Sequence, residues 1–292
     1  MLSVVAPMHN EVGNARSLYQ AISVVLEKVG EPYEIIFVND ASTDQTMSVM
    51  KEIQRQDPRF HYADLAANVG ENWALLAGIS KAAGEIVITI DGDGQNDPAY
   101  IPHLLAELSN GRRVVSGRRN GRIGNLWSRR LPSQAANFLI RTISGVKVHD
   151  TGCGLKAYQR EVLEGKFVPT GFMNRFSPVV FGVSDREFAE VAIVDRPRPS
   201  GRSHYGLGRV FVVFRDLLTL TFALRGAQTW RGRFSVLQWI GLALVVLFLA
   251  WSQFAWALCA ALVALASVSN RLNLQRFINA QRKPPFRIKE YR

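Results

Sequence analysis

Short runs of β-branched and aromatic residues alternate with segments of helical period through the first hundred residues. Ser3–Ala6, Glu34–Asn39, Phe60–Ala63 and Ile86–Ile90 read as strands, with Ala15–Val29, Asp44–Gln56 and Trp73–Ala82 as the helices between them. That alternation predicts a parallel α/β sheet. Two of the strands run into acidic residues, Asn39-Asp40 and Asp91-Gly92-Asp93, and ligands of open α/β sheets bind at such carboxyl ends. Beyond Asp97-Pro98 the pattern predicts a helix around Tyr100–Leu108, a strand at Val114-Val115-Ser116, a helix near Gln134–Ser144 and a loop at Asp150–Gly154.

The pattern changes in the last third of the chain. From Phe234 to Asn270 no charged residue occurs. One helix of that length would reach about 55 Å at 1.5 Å per residue, well beyond a hydrocarbon core of about 30 Å. Two spans are therefore expected, Phe234–Trp251 and Phe254–Asn270, although neither glycine nor proline marks the turn between them. Val210–Leu224 is also apolar, but Arg215 and Asp216 stand in its middle, where each would cost about 2.5 to 3.5 kcal/mol at a bilayer centre. It reads as an interfacial or packed juxtamembrane helix. The expected division is a domain over 1–205, a juxtamembrane amphipathic segment over 206–233, a transmembrane hairpin over 234–270 and a basic tail over 271–292.

Charge sharpens this division. The formal net charge is +11, yet Met1 to Tyr205 holds 23 basic against 22 acidic residues, while Gly206 to Arg292 holds 12 basic residues against Asp216 and Glu290 alone. Because that excess brackets the apolar run, it points to an anionic membrane surface and away from nucleic acid. Arg231 and Arg233 precede the run and Arg271 and Arg276 follow it, so both flanks are expected in the cytoplasm. No basic region precedes the first apolar run, so the N-terminal domain is expected there too. Cys153 and Cys259 fall in a polar loop and an apolar span, which argues against a disulfide framework or a zinc site.

The chemistry-bearing residues cluster at the strand ends. Asp91-Gly92-Asp93 places two carboxylates at one sheet edge, hard oxygen ligands suited to Mg²⁺ or Mn²⁺ bound partly through substrate phosphates, and Gln95 is placed to add a carbonyl oxygen. Alone, an Asp-x-Asp is ordinary turn chemistry. Between Leu108 and His149 there is no acidic residue, and the interval carries Arg118, Arg119, Arg122, Arg129, Arg130 and others. As a whole it reads as an anion site, although any single arginine there reads as a solvated surface residue.

Around the pair stand Pro7-Met8-His9-Asn10-Glu11, Val38-Asn39-Asp40-Ala41-Ser42-Thr43-Asp44, Asn68-Val69-Gly70 and Gly94-Gln95-Asn96-Asp97-Pro98. This ordered set resembles the family-2 glycosyltransferases of GT-A fold. Val115-Ser116-Gly117-Arg118 is similar to an element of dolichol-phosphate mannose synthases. Asp150-Thr151-Gly152-Cys153-Gly154-Leu155-Lys156-Ala157-Tyr158 and Arg198-Pro199-Ser200-Gly201-Arg202-Ser203-His204-Tyr205 resemble the bacterial undecaprenyl-phosphate aminoarabinose transferases. Two departures from that pattern, His204 for Lys and Lys156 for Arg, fall in the acceptor region.

The resemblance implies an α/β GT-A domain carrying a C-terminal two-helix transmembrane hairpin in the bacterial cytoplasmic membrane, with both termini cytoplasmic. It implies transfer of a sugar from a nucleotide-sugar to a polyprenyl phosphate such as undecaprenyl phosphate. Pro7, Glu11 and Asp40 would hold the nucleoside. Asp91, Asp93 and Gln95 would hold Mg²⁺ or Mn²⁺ on the diphosphate. Arg118, Arg129, Ser133 and Arg198, with Arg202 and Ser203, would gather the donor diphosphate and the acceptor phosphate. Arg129, Arg198 and Asp150 would carry the catalysis, Asp150 as an orienting group or base, although an Asp before Gly reads equally as a loop cap. A homotetramer is a further implication.

The acceptor's chemistry favours direct attack. A phosphate monoester has a second pKa of about 6 and is mostly dianionic at neutral pH, so charge management matters more than a base, and a single displacement with inversion is expected. Two alternatives are a membrane polysaccharide synthase and a nucleotide-sugar-binding membrane protein without turnover. The first fits less well, because Gln228-Thr229-Trp230-Arg231 has the wrong order for a processive synthase and one hairpin makes no channel.

Overall fold

The computed structural model describes residues 1–120, 146–164, 180–196, 219–223, 225–282 and 284–292. Arg129, Ser133, Arg198, Arg202, Ser203 and the helix expected near Gln134–Ser144 lie outside the described residues. The chain divides into two compact units, Met1–Tyr205 with Pro285–Arg292, and Gly206–Pro284.

In the first unit β1 (Leu2–Met8), β2 (Tyr33–Asn39), β3 (Phe60–Leu65) and β4 (Ile86–Thr89) alternate with α1 (Val12–Val29), α2 (Thr46–Gln56) and α3 (Glu71–Ile79). β1 pairs in parallel with β2 and β4, and β2 with β3. β1 and β2 are buried along their whole length, which is why they read as continuous apolar runs rather than alternating ones. α1 buries Ala15, Leu18, Ile22 and Leu26, the spacing of one helical face. It ends at Gly30, whose φ of 76° lets its N–H close on the Leu26 carbonyl. Phe37 and Phe60 cross edge to face at 5.0 Å with no exposed surface. Phe60→Ala would cost about 3 to 5 kcal/mol.

After a short 3₁₀ turn (Pro98–Tyr100) come α4 (Ile101–Ser109), β5 (Val114–Arg119), β6 (Lys156–Gln159), α5 (Arg160–Leu163) and β7 (Phe188–Ile193). β6 runs antiparallel between β4 and β5, and β7 lies parallel to β5. The order is β7-β5-β6-β4-β1-β2-β3-β8. The outermost strand, β8 (Ile288–Tyr291), pairs antiparallel with β3. The segment expected as a basic tail is therefore not a plain tail: its start continues the preceding helix to Arg282 and its end, Ile288–Tyr291, is sheet. The anchors of β8 are the Tyr291 ring stacked on His61 at 5.7 Å and the reciprocal backbone bonds between Tyr62 and Arg292.

The second unit contains α6 (Ala227–Ala250) and α7 (Phe254–Arg282). Both are long and apolar enough to span a membrane, with mean hydropathies of 2.0 and 1.5. Each runs past the expected span: α6 begins seven residues before Phe234 and α7 continues past Asn270. The charge-free run marks only the stretch fit for hydrocarbon, whereas a helix continues as long as its hydrogen bonds do. At the turn Ser252 takes a φ of 55°, supplying the left-handed residue expected of glycine. Gly241 meets Ala260 and Ala264 so closely that a Cβ there would lie 3.0 Å from the Ala264 Cβ, small residues setting the helix approach. Large apolar side chains, among them Trp239, Val246, Trp256 and Leu258, face outward.

Candidate active site

The carboxyl ends of β1, β2 and β4 meet at one edge of the sheet, and the motif residues collect there. Asp40 follows β2 and is buried. Its two carboxylate oxygens accept from the backbone N–H groups of Val69 and Gly70, each at 2.8 Å, so it fixes the entry to α3. Glu11 stands at the start of α1, accepting from the Asn14 side chain at 2.5 Å, while its own N–H donates to Thr46 Oγ1. Asp44, in the same motif as Asp40, accepts from Thr46 N and Val12 N, binding the starts of α1 and α2 together. Ala41 adopts a φ of 50°, a left-handed conformation costly for a residue with a Cβ.

Asp91 leaves β4 beside β6. Burial pushes its carboxyl well above the usual carboxylate range, and the nearby charges of Glu71 and Asp93 push the same way, only partly opposed by Arg119 and Lys156. Such a concentration of negative charge favours a cation. Asp93 accepts from Gln95 N at 3.1 Å, which turns the loop back under itself. Among the described residues no group of three His, Cys, Asp or Glu is arranged to hold a metal ion alone. Asp91 and Asp93 would thus supply two carboxylate arms, leaving the remaining positions to phosphate oxygens and water, which suits Mg²⁺ or Mn²⁺.

The opposite wall comes from β5, β7 and the loop before β6. Arg119 forks onto Asp150, Nε to Oδ2 at 2.6 Å and Nη2 to Oδ1 at 2.8 Å. Burial alone would raise the Asp150 carboxyl, but the Arg119 hydrogen bonds and charge and the Gly152 N–H outweigh it and hold it at about 2. Asp150 is therefore an ionised, fully engaged carboxylate at neutral pH. Glu190 on β7 accepts from the N–H groups of His149 and Asp150, both at 2.9 Å. Asp195, 3.9 Å from Arg119, accepts from Asn96 at 3.1 Å, and Arg196 donates its N–H to the Gln95 carbonyl. The exit of β7 is in this way latched to the Asp91–Asp97 loop, directly before the segment that carries Arg198. Lys156 is almost wholly buried on β6, and burial lowers its ammonium to about 8 against the opposing pull of Cys153, Asp150 and Asp91.

The family model described as Glycosyl transferase family 2 matches residues 3–166. The chain belongs to that family. Among curated relatives of this glycosyltransferase, the dodecaprenyl-phosphate galacturonate synthase of Rhizobium johnstonii is 36% identical over 230 residues, 77% of this chain and 67% of the relative. The undecaprenyl-phosphate 4-deoxy-4-formamido-L-arabinose transferase of Enterobacter sp. is 31% identical, over 88% of this chain and 79% of the relative. Its counterpart in Pseudomonas paraeruginosa is 31% identical over 75% and 64%. The glycosyltransferase thus spans about two thirds of the length of several of these relatives. Among solved structures, Mycobacterium tuberculosis glucosyl-3-phosphoglycerate synthase with Mn²⁺, UDP and phosphoglyceric acid superposes with a TM-score of 0.58 at 20% identity, covering 77% of this chain and 78% of that one. The shared fold is GT-A.

The structure brings Pro7, Glu11, Asp40, Asp91, Asp93 and Gln95 to one sheet edge and places Arg118 and Asp150 on the strands and loop beside it. Arg118 is half-buried, whereas its neighbour Arg119 makes the buried contacts. The sequence offers Arg119 only as one arginine of a basic run and Lys156 only as a departure from the family pattern, and it marks none of Glu71, Glu190 and Asp195. The signal for Arg119 was the period-two register of β5, which sends adjacent arginines to opposite faces; without the facing of that strand the two are indistinguishable.

Proposed function

We propose that this glycosyltransferase moves a sugar from a nucleotide-sugar to the phosphate of a polyprenyl phosphate, with inversion at the anomeric carbon. The observation that carries the reading is the Asp91–Asp93 carboxylate pair at the exit of β4, in a chain that also bears two helices fit to cross a membrane. Relatives named for dodecaprenyl and undecaprenyl phosphate support the acceptor.

Pro7, Glu11 and Asp40 hold the nucleoside side of the site, Asp40 by fixing the Val69–Gly70 turn. Asp91 and Asp93, with Gln95 beside them, would hold Mg²⁺ or Mn²⁺, which would supply charge neutralisation for the departing diphosphate; the Mn²⁺ of the glucosyl-3-phosphoglycerate synthase structure supports a divalent ion. Arg118 serves the donor diphosphate. Arg129, Ser133, Arg198, Arg202 and Ser203 receive the acceptor phosphate, a task suited to planar guanidinium forks. Asp150 orients the wall through Arg119 and is too weak a base to take a proton at neutral pH. The acceptor is already dianionic and needs no such base, and a double displacement would need a free carboxylate below the sugar, a place Asp150 is not available to fill.

Membrane placement follows the chain. β8 belongs to the same sheet as β1, and two apolar helices lie between them in sequence. An even number of crossings returns the chain to the side it left, which supports a hairpin with both ends cytoplasmic in the bacterial cytoplasmic membrane. The expected homotetramer is tested by mass measurement of the purified complex.

The experiment is transfer of labelled sugar from a panel of nucleotide-sugars into the organic phase by the full chain in detergent. Undecaprenyl phosphate should support it and undecaprenol should not. Equal labelling of both, or label found only in a growing glycan, contradicts the reading.

A further inference from the structure

The β4–β6 ladder pairs Thr89 with Lys156. Two residues further along, in opposite chain directions, stand Asp91 and Gly154. The Thr89 hydroxyl donates to the Gly154 carbonyl at 2.9 Å inside the protein, which pins that glycine's backbone. A Cβ built on Gly154 would lie 2.0 and 2.2 Å from the two Asp91 carboxylate oxygens and 2.1 Å from its Cγ. These are the three heavy atoms nearest the added carbon, and all belong to one functional group.

Gly92 and Gly117 differ, whereas a Cβ on Gly152 would meet the Arg119 guanidinium at 2.7 Å. A Cβ on Gly92 would strike the Pro7 carbonyl oxygen at 2.3 Å, and one on Gly117 would meet the Cys153 Sγ and Ile193 side chains at 2.7 and 2.9 Å. Those positions guard backbone and core packing. At Gly154 the excluded volume is the carboxylate itself.

We propose that Gly154 is a positioning residue of the donor site: its missing side chain is the space in which the Asp91 carboxylate lies at the sheet edge. Any side chain there turns Asp91 away from Asp93 or separates the exit of β4 from the entry to β6. The inference rests on the reading of Asp91 as a cation ligand for its consequence, but the contact itself does not.

The test is a stability cycle on the full chain in detergent, with wild type, Gly154→Ala, Asp91→Ala and the double variant compared by thermal unfolding. Non-additive shifts are expected, the loss caused by Gly154→Ala shrinking by at least half once the Asp91 carboxylate is gone. Gly117→Ala should cost the same in both backgrounds. Additive shifts for Gly154→Ala overturn the proposal. In parallel, Mn²⁺ titration followed by electron paramagnetic resonance should show Gly154→Ala weakening binding at least about tenfold, as loss of a ligand's supporting contact does. Wild-type affinity in that variant overturns the positioning role. A wild-type protein that binds no Mn²⁺ overturns the metal reading, and the stability cycle then decides the contact alone.

Discussion

Arg119 and Asp150 meet through two parallel hydrogen bonds, 2.6 and 2.8 Å long, that join the end of β5 to the loop before β6. The Arg119 side chain is 8% exposed and that of Asp150 is 16%, so neither charge is well solvated without the other. The Asp150 motif therefore acts through its partner: the carboxylate aims a guanidinium, and Asp195 ties the same guanidinium toward the Asp91–Asp97 loop.

Removing Arg119 should expose this dependence. Arg119→Ala is expected to cost about 3 to 5 kcal/mol, the range for leaving one member of a buried pair uncompensated. Arg119→Lys should recover only part of it, because an ammonium lacks the fork that engages both oxygens. Chemical unfolding of the full chain in detergent measures both, and a loss under 1 kcal/mol in Arg119→Ala contradicts the description.

Acid should act through the same pair. The Asp150 carboxyl is held at about 2 against an ordinary value of 3.8. A lowered folded value means that its stabilisation is complete above about pH 4 and drains away as pH falls toward 2. The difference corresponds to about 2 kcal/mol. Unfolding curves from pH 5 to pH 2 should show this loss in wild type and a flatter acid limb in Asp150→Asn; parallel curves would assign the acid sensitivity elsewhere.

The parts of the fold legible in sequence are those where one physical signal dominates. β1, β2 and β4 are legible because burial on both faces makes them largely apolar, and the acidic exits of β2 and β4 mark the site. β6, β7 and β8 went unread for opposite reasons. Lys156-Ala157-Tyr158-Gln159 carries a lysine that only its tertiary surroundings bury. Phe188–Ile193 is short and mixed in polarity. Ile288-Lys289-Glu290-Tyr291 sits in a basic context, and nothing local reveals that the edge of β3 is waiting for it. In the site, the carboxylates were readable by type and spacing, whereas Arg119 and Gly154 owe their roles to cross-strand partners far away in sequence.

β8 supplies a prediction that joins fold to topology. Deleting 285–292 uncovers the β3 edge and removes the Tyr291–His61 stack and the Lys51–Glu290 ion pair. The truncated protein should unfold at lower temperature and aggregate more readily. A reporter fused after Arg292 should be active only in its cytoplasmic form. Activity only on the far side of the membrane would show that the two helices do not form a hairpin.

Metal dependence follows from the clustered carboxylates. Asp93→Ala and excess chelator should each abolish sugar transfer, and Mg²⁺ or Mn²⁺ should restore the chelated wild type but not the variant. Full activity in chelator contradicts a cation at Asp91 and Asp93.

Arg198→Ala should weaken use of the lipid phosphate by roughly 10- to 1000-fold, from loss of a charged hydrogen bond of about 1.5 to 3 kcal/mol with some added repulsion. Nucleotide-sugar hydrolysis in water should change far less. Kinetics against varied undecaprenyl phosphate separate the two, and unchanged kinetics remove Arg198 from the acceptor site.

The most direct test of the whole account is the structure of the lipid product made by the purified chain from an α-linked nucleotide-sugar and undecaprenyl phosphate, determined by mass spectrometry and NMR. The account predicts one sugar per lipid, joined through the phosphate and β-configured at the anomeric carbon. A retained α configuration, more than one sugar, or a sugar joined to anything other than the lipid phosphate would contradict it.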